Sequence, residues 1–244
     1  MTVADHDELR HPAGPSSAWT ETWEFRAATP DRGLAVAVAV VRRPAERRVS
    51  YCGVVTGRGR PTIVALEHEI DLPRSGLELR GSGIWADHVC ETPHEHWSIG
   101  LEAFGLAIDE PDDLVTSGRG LPTPLGFDLE WETPDPPDQA SPPGDRGYLS
   151  LGTAHGEVLV GEEALTIEGP GQRFHRWGTG RHLPEWWTTD DAGGLGNPPW
   201  TFAEVVRLTI PDPSGRVTAL VVGQRLDTDR VGPAVWVSSG LPIG

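Results

Sequence analysis

The stretch GPGQRFHRWGTG, residues 169–180, holds the residue types best suited to chemistry. His175 and Trp177 stand two apart, so on an extended strand they share one face, with Phe174 and Arg176 on the other. An imidazole exchanges protons near neutral pH, and an indole face stabilises developing positive charge. Together they suit a pocket that acts on an unsaturated molecule; the same two rings also suit packing at the rim of a β-barrel. Downstream, Trp186, Trp187 and Trp200 add more indole, and Phe202 and Glu204 share one face of the apolar segment FAEVVRLTI. Burial there would raise the Glu204 carboxyl and make it an acid, unless an arginine such as Arg173 or Arg181 pairs with it.

A second cluster, WADHVCETPHEHWSIGLEAFG, spans residues 85–105. His88 and Cys90 alternate, as do His94 and His96, with Glu91, Glu95 and Glu102 nearby. Two histidines and a carboxylate make a metal-site pattern, although Pro93 places a turn between the two pairs. Trp97 follows His96 and points to the opposite strand face. The two cysteines, Cys52 and Cys90, lie in strand-like contexts without a CxxC pairing and read as buried, reduced thiols. A Cys90 nucleophile would need a neighbour such as His88 to stabilise its thiolate.

Composition removes several classes of function. A net charge of -16 over 244 residues disfavours nucleic acid and anionic membrane surfaces as partners. All 20 basic residues are arginine, which excludes a Schiff-base lysine, lysine-anchored pyridoxal phosphate and a Walker-type phosphate loop. No GxSxG, GxGxxG or HExxH motif is present. No cofactor and no bound metal is expected. No apolar run reaches the roughly 18 residues of a membrane span, and residues 1–17 read as a flexible acidic leader without a signal-peptide core. The expected compartment is the cytoplasm.

The elements that must position these residues are strands. Short or alternating apolar runs recur between Gly and Pro turns, as in AWTETWEFRA, GLAVAVAVVRR, PTIVALEHEI and RVTALVVGQRL. Long helices are absent from the pattern, and 30 Gly with 23 Pro punctuate it too often for them. An antiparallel all-β sandwich or barrel follows. A Pro-rich segment, residues 135–146, divides the chain into β domains over 18–134 and 147–244.

The runs GLELRGSGIWADHVCETPHEHWSIGLEAFG, PLGFDLEWET and HGEVLVGEEALTIEGPGQRFHRWG resemble the carotenoid 1,2-hydratase (hydroxyneurosporene synthase)-like superfamily. That group is related to the AttH-like proteins and to lipocalin-like Diels–Alderases, and the resemblance covers residues 19 to 240. It implies two lipocalin-like antiparallel β-barrels in tandem and cofactor-free hydration or cyclisation of an apolar polyene, terpenoid or polyketide-like metabolite. The family's Asp-His-Ser-Trp-Gly motif reads Phe174-His175-Arg176-Trp177-Gly178 here, and its Tyr-x-Asp pair falls near Phe202-x-Glu204. The resemblance therefore implies His175 and Glu204 as the proton-handling pair. Trp177, Trp200, Phe202, Trp97 and His96 are the expected substrate-binding wall. A non-catalytic small-molecule carrier, or a metal enzyme using His94 and His96, are the alternatives.

Overall fold

The computed structural model describes residues 3–30, 34–57, 60–108, 120–134 and 145–179, and beyond these the backbone of 187–188, 202–211, 217–227 and 230–240. The chain is all-β: fourteen antiparallel strands, with two single 3-10 turns at Asp5–Glu8 and Pro44–Glu46 among the described residues. The strands are β1 (Thr20–Ala28), β2 (Leu34–Arg43), β3 (Arg48–Gly57), β4 (Thr62–Asp71), β5 (Leu77–Gly81), β6 (Ile84–Thr92) and β7 (His96–Ile108). They continue as β8 (Leu121–Glu132), β9 (Asp145–Val160), β10 (Glu163–Gly178), β11 (Trp187–Thr188), β12 (Phe202–Pro211), β13 (Val217–Asp227) and β14 (Arg230–Gly240).

The first ten strands form one sheet in the order β4-β3-β2-β1-β10-β9-β8-β7-β6-β5. The long β7 pairs with β6 through its first part and with β4 through Leu106–Ile108. That second pairing closes eight strands into a barrel. Closure satisfies backbone groups that an open sheet would leave on its edges. The remaining strands make a second sheet, β11-β14-β13-β12, and β14 lies against β2 and β3.

This topology corrects the expected division of the chain. The Pro-rich segment is flanked by β8 and β9, which pair with each other, and β10 pairs with β1. The hairpin β9–β10, assigned to a second domain by the Pro-rich boundary, completes the first barrel. Proline keeps a segment out of a ladder, but it does so equally within a hairpin connection and between domains.

Strand patterning reflects where each wall sits. In β2, LAVAVAVVRR, every residue is buried. Leu34, Val36, Val38 and Val40 join the barrel core, while Ala35, Ala37 and Ala39 join an outer cluster with Cys52, Val54, Val64 and Ile108. Larger side chains fill the inside and small ones line the covered outside. Strands β6 and β8 instead alternate buried and exposed positions, the signature of one wet face.

Candidate active site at the barrel mouth

Antiparallel register stacks the inward residues of β2, β1, β10 and β9 into layers. Arg42, Glu21 and Trp177 form the outermost layer; Val40, Trp23, His175 and Tyr148 lie beneath it. The third layer is Val38, Phe25, Arg173 and Ser150, and the fourth is Val36, Ala27, Gly171 and Gly152. The glycines of the fourth layer admit the Trp131 indole, whose ring would lie 2.4 Å from a Cβ at position 171.

The segment before β1 enters this mouth. Its 3-10 turn delivers Glu8, which is fully buried. Residues 3–12 are thus anchored, a correction to the flexible leader expected over 1–17. Arg173, also fully buried, clamps Glu8 with its guanidinium at 2.8–3.0 Å. Trp97 donates its indole N–H to Glu8 at 2.7 Å. Burial alone would raise the Glu8 carboxyl, but the Arg173 charge and these donors outweigh it and hold the group ionised, below its ordinary value.

One layer further out, His175 bridges two groups. Its Nε2 lies 3.2 Å from Glu21 Oε1 and its Nδ1 lies 3.3 Å from the Tyr148 hydroxyl. Burial raises Glu21, yet hydrogen bonds from His11 and His175 dominate and bring it down to about 2. Glu21 is therefore an acceptor only, so Nε2 carries the His175 proton and Nδ1 accepts from Tyr148. Burial lowers His175 and pushes Tyr148 well above its ordinary value, so the imidazole is neutral and the phenol protonated. Arg173 Nη1 also donates to the Tyr148 oxygen at 3.2 Å. Trp23 stacks on His175 at 4.5 Å, and Trp177 lies 5.0 Å from it.

The second carboxylate oxygen of Glu21 accepts from Arg42 at 2.5 Å. His11 covers the layer: its backbone N–H and its Nδ1 each lie 2.8 Å from Glu21 Oε1, and its ring stacks on Trp177 at 3.7 Å. Asp7 Oδ1 sits 3.2 Å from His11 Nε2.

Among the expected site residues, His175, Trp177 and Trp97 come together here. His175 and Trp177 share a face as read from the sequence, while Phe174 and Arg176 turn outward, with Arg26 and Arg176 packed over the Phe174 ring. His96 is elsewhere: it is partly exposed and pairs with Glu130 at 2.5 Å on the outer face of the barrel. His94 turns the other way, 3.2 Å from Glu8 Oε1 but without hydrogen-bond alignment, so the two histidines do not converge on one ion. His94 takes a positive φ of 66° in the turn before β7. Glu204 and Phe202 lie on β12 of the second sheet, opposite Gln224 and Arg225 with an irregularity between them. Their side chains, and all of Trp200, fall outside the described residues.

Cys52 is buried and its thiol is pushed up to about 12 by burial. Cys90 reaches about 12 through burial and the nearby Glu8 charge, its Sγ 3.9 Å from that carboxylate. Neither favours a thiolate. His88 points into the core, stacked on Tyr51 at 5.6 Å, rather than toward Cys90.

The sequence reading missed Glu8, His11, Glu21 and Tyr148. Glu21 carried a signal: in TETWEF it alternates with Trp23 and Phe25, as Glu204 alternates with Phe202. Tyr148 is one of only two tyrosines in the chain, and nothing local marks it. Glu8 and His11 belong to a segment without strand pattern.

The fold and site define an all-β barrel protein with a buried acid–base network plugged by its own N-terminal segment. The chain belongs to the family described as a domain of unknown function, DUF7064, whose model matches residues 4–192. That span takes in the plugging segment together with β1 to β10. Among solved structures, the crystal structure of CghA is similar at 10% identity and a TM-score of 0.39, over 95% of this chain and 64% of that one. The chain thus spans less than two thirds of that protein's length. No curated protein matches. Among the described residues, no helix is long and apolar enough to cross a membrane.

Proposed function

We propose that this protein is a cofactor-independent enzyme of the hydratase or cyclase type, acting on an apolar, unsaturated small molecule. The observation that carries the reading is the Tyr148–His175–Glu21 chain, set between the Trp23 and Trp177 indoles. Glu21 fixes the tautomer of His175 and stabilises the imidazolium that forms when the ring takes a proton, the role a carboxylate plays beside any catalytic histidine. Tyr148 is the proton source or sink on the other nitrogen, and Arg173 lowers the cost of negative charge on its oxygen. The indoles shape the substrate and stabilise positive charge on it. Glu21 takes the part that the sequence pattern gave to Glu204. Substrate reaches His175 when residues 3–12 are displaced, because His11 and Asp7 cover that layer.

Incubating the full chain with linear polyenes and polyketide-like chains, followed by mass spectrometry, tests this. Addition of water or formation of an isomer is expected, with at least a 100-fold loss in His175→Ala and in Glu21→Gln. Equal turnover in folded variants would overturn the assignment.

A carrier function is the second reading, and a separate observation favours it. In the barrel interior the Tyr51 hydroxyl, both His88 nitrogens and the Trp23 and Trp131 indole N–H groups have no hydrogen-bond partner among the described residues. Buried groups of this kind are normally paired, and a ligand oxygen would pair them. Tryptophan quenching by a compound recovered unaltered, in wild type and His175→Ala alike, is the expected sign of that function.

A further inference from the structure

His11, Glu21 and His175 bring three ligand atoms within 4.8 Å of one another, two imidazole nitrogens and one carboxylate oxygen. We propose that these residues form a divalent-cation site, suited to zinc, that clasps the N-terminal segment onto the barrel mouth. The inference does not rest on the proton-transfer reading; it holds equally for a carrier.

The argument starts from Glu21 Oε1. Three donors crowd onto this one oxygen: the His11 backbone N–H at 2.8 Å, His11 Nδ1 at 2.8 Å and His175 Nε2 at 3.2 Å. His11 is also placed between two carboxylates, with Asp7 on Nε2 at 3.2 Å. A carboxylate oxygen faces each ring nitrogen of His11. One solution has Nδ1 donating to Glu21. The second has Nε2–H donated to Asp7, with Nδ1 on a cation that Glu21 shares.

The outer partners fit the second solution. Metal-bound histidines donate their remaining N–H to a carboxylate or another oxygen, which fixes the ring. Asp7 is placed to do this for His11. With the cation on Nε2, the His175 proton moves to Nδ1 and is donated to the Tyr148 oxygen 3.3 Å away, while the Tyr148 hydroxyl donates to the Asp7 carbonyl at 3.4 Å. Arg42 holds the far oxygen of Glu21 at 2.5 Å and leaves the near one to face the histidines. Two imidazoles and a carboxylate are a recurrent zinc ligand set, with water completing the tetrahedron. Bonds of about 2.0–2.1 Å place tetrahedral ligand atoms about 3.3 Å apart. The 3.2 Å contact matches that spacing, the 2.8 Å contact opens by about 0.5 Å, and the His–His separation, within 4.8 Å, closes.

The consequence is mechanical. His11 comes from the plugging segment, while Glu21 and His175 come from β1 and β10. A cation there ties the segment to the barrel and occupies Nε2 of His175, so the loaded form is closed and the cation-free form is the one able to open.

The test is titration of Zn(II) alone, and separately Co(II), into chelator-treated full-length protein at neutral pH. One equivalent is expected to bind by calorimetry, and Co(II) is expected to give the visible bands of a four-coordinate ion. His11→Ala should weaken binding at least 100-fold while circular dichroism stays unchanged, because the ring sits on the segment and not in the barrel wall. Asp7→Asn should weaken it 10–100-fold, and His6→Ala, on the exposed side of the same segment, should leave it intact. Bound zinc should also slow protease cleavage within residues 3–12 in the wild type and not in His11→Ala. Absence of binding, or one equivalent held as tightly by His11→Ala, would overturn the site. Either result leaves the turnover experiment with His175→Ala unaffected, so the two readings fail separately.

Discussion

The mouth of the barrel and its aromatic interior handle buried polarity in opposite ways. At the mouth, Glu8, Arg173, Glu21 and Arg42 are ionised and buried, and each lies within 3.0 Å of an opposite charge. In the interior, Tyr51, which pairs with Val40 of the His175 layer, and its stacking partner His88 are also buried but stay neutral: burial pushes the Tyr51 hydroxyl well up and brings His88 down to about 3. The difference comes from what each region can recruit. The mouth receives Asp7, Glu8 and His11 from a segment outside the sheet, so partners of opposite sign arrive from independent elements. The interior is lined by strand positions that must also fill space, and its aromatic rings supply no counter-charge. A buried charge survives where a second element brings its partner, and elsewhere the group discharges.

The most damaging way to break this contrast is to orphan a charge at the mouth. Glu8→Ala leaves Arg173 buried and unpaired and should cost about 3–5 kcal/mol, lowering the thermal midpoint by roughly 6–20 °C. Replacing both partners, Glu8→Leu with Arg173→Met, should recover most of that loss, since the penalty belongs to the unpaired ion. Calorimetric unfolding of the three proteins checks it.

Acid separates the two regions by pH window. The folded His88 value of about 3 lies below its ordinary 6.5, so the unfolded chain gains a proton first as pH falls. Stability is then complete above 6.5 and is lost progressively down to about 3. Between pH 7 and pH 5 this amounts to about 2 kcal/mol. Glu21, held at about 2 against 4.5, adds a second loss confined to pH 4.5 down to about 2. Urea unfolding along pH should show His88→Leu flattening the upper window, to which the lowered His175 also contributes, and Glu21→Gln flattening the lower one. A single window common to both variants would erase the distinction.

A smaller effect probes interior packing. Gly171→Ala sets a methyl 2.4 Å from the Trp131 ring and 2.9 Å from the Arg26 carbonyl oxygen, and should cost about 1–3 kcal/mol through displacement of the indole. Near-ultraviolet circular dichroism should change with it. The smallest effect belongs to the outer wall. His96→Ala breaks a partly exposed pair with Glu130 and should change stability by less than about 1 kcal/mol, with turnover and cation binding unaltered.

Much of the barrel was legible in one dimension because strand alternation is local: each residue's face follows from its neighbour's. That logic placed His175 with Trp177 and against Phe174 and Arg176, and it marked β2 as a strand. It could not identify the barrel's members. The Pro-rich segment signals only that a strand stops, while the partner of β9 is settled by which edges can close. Hydrogen bonds between β10 and β1 join residues some 150 positions apart, and no local pattern encodes that pairing.

For the site the division is equally physical. The sequence determined an all-β chain, a histidine and indole on one inner face, two free cysteines of which Cys52 is buried and Cys90 half-buried, and a chemistry without lysine. Only the tertiary structure decided which acid meets the histidine. Glu21 and Glu204 sit in the same kind of alternating apolar strand, and the closing of β1 onto β10 sets Glu21 3.2 Å from His175. Burial then fixes the charge states of the group, because desolvation and pairing depend on neighbours that the chain brings together only when it folds.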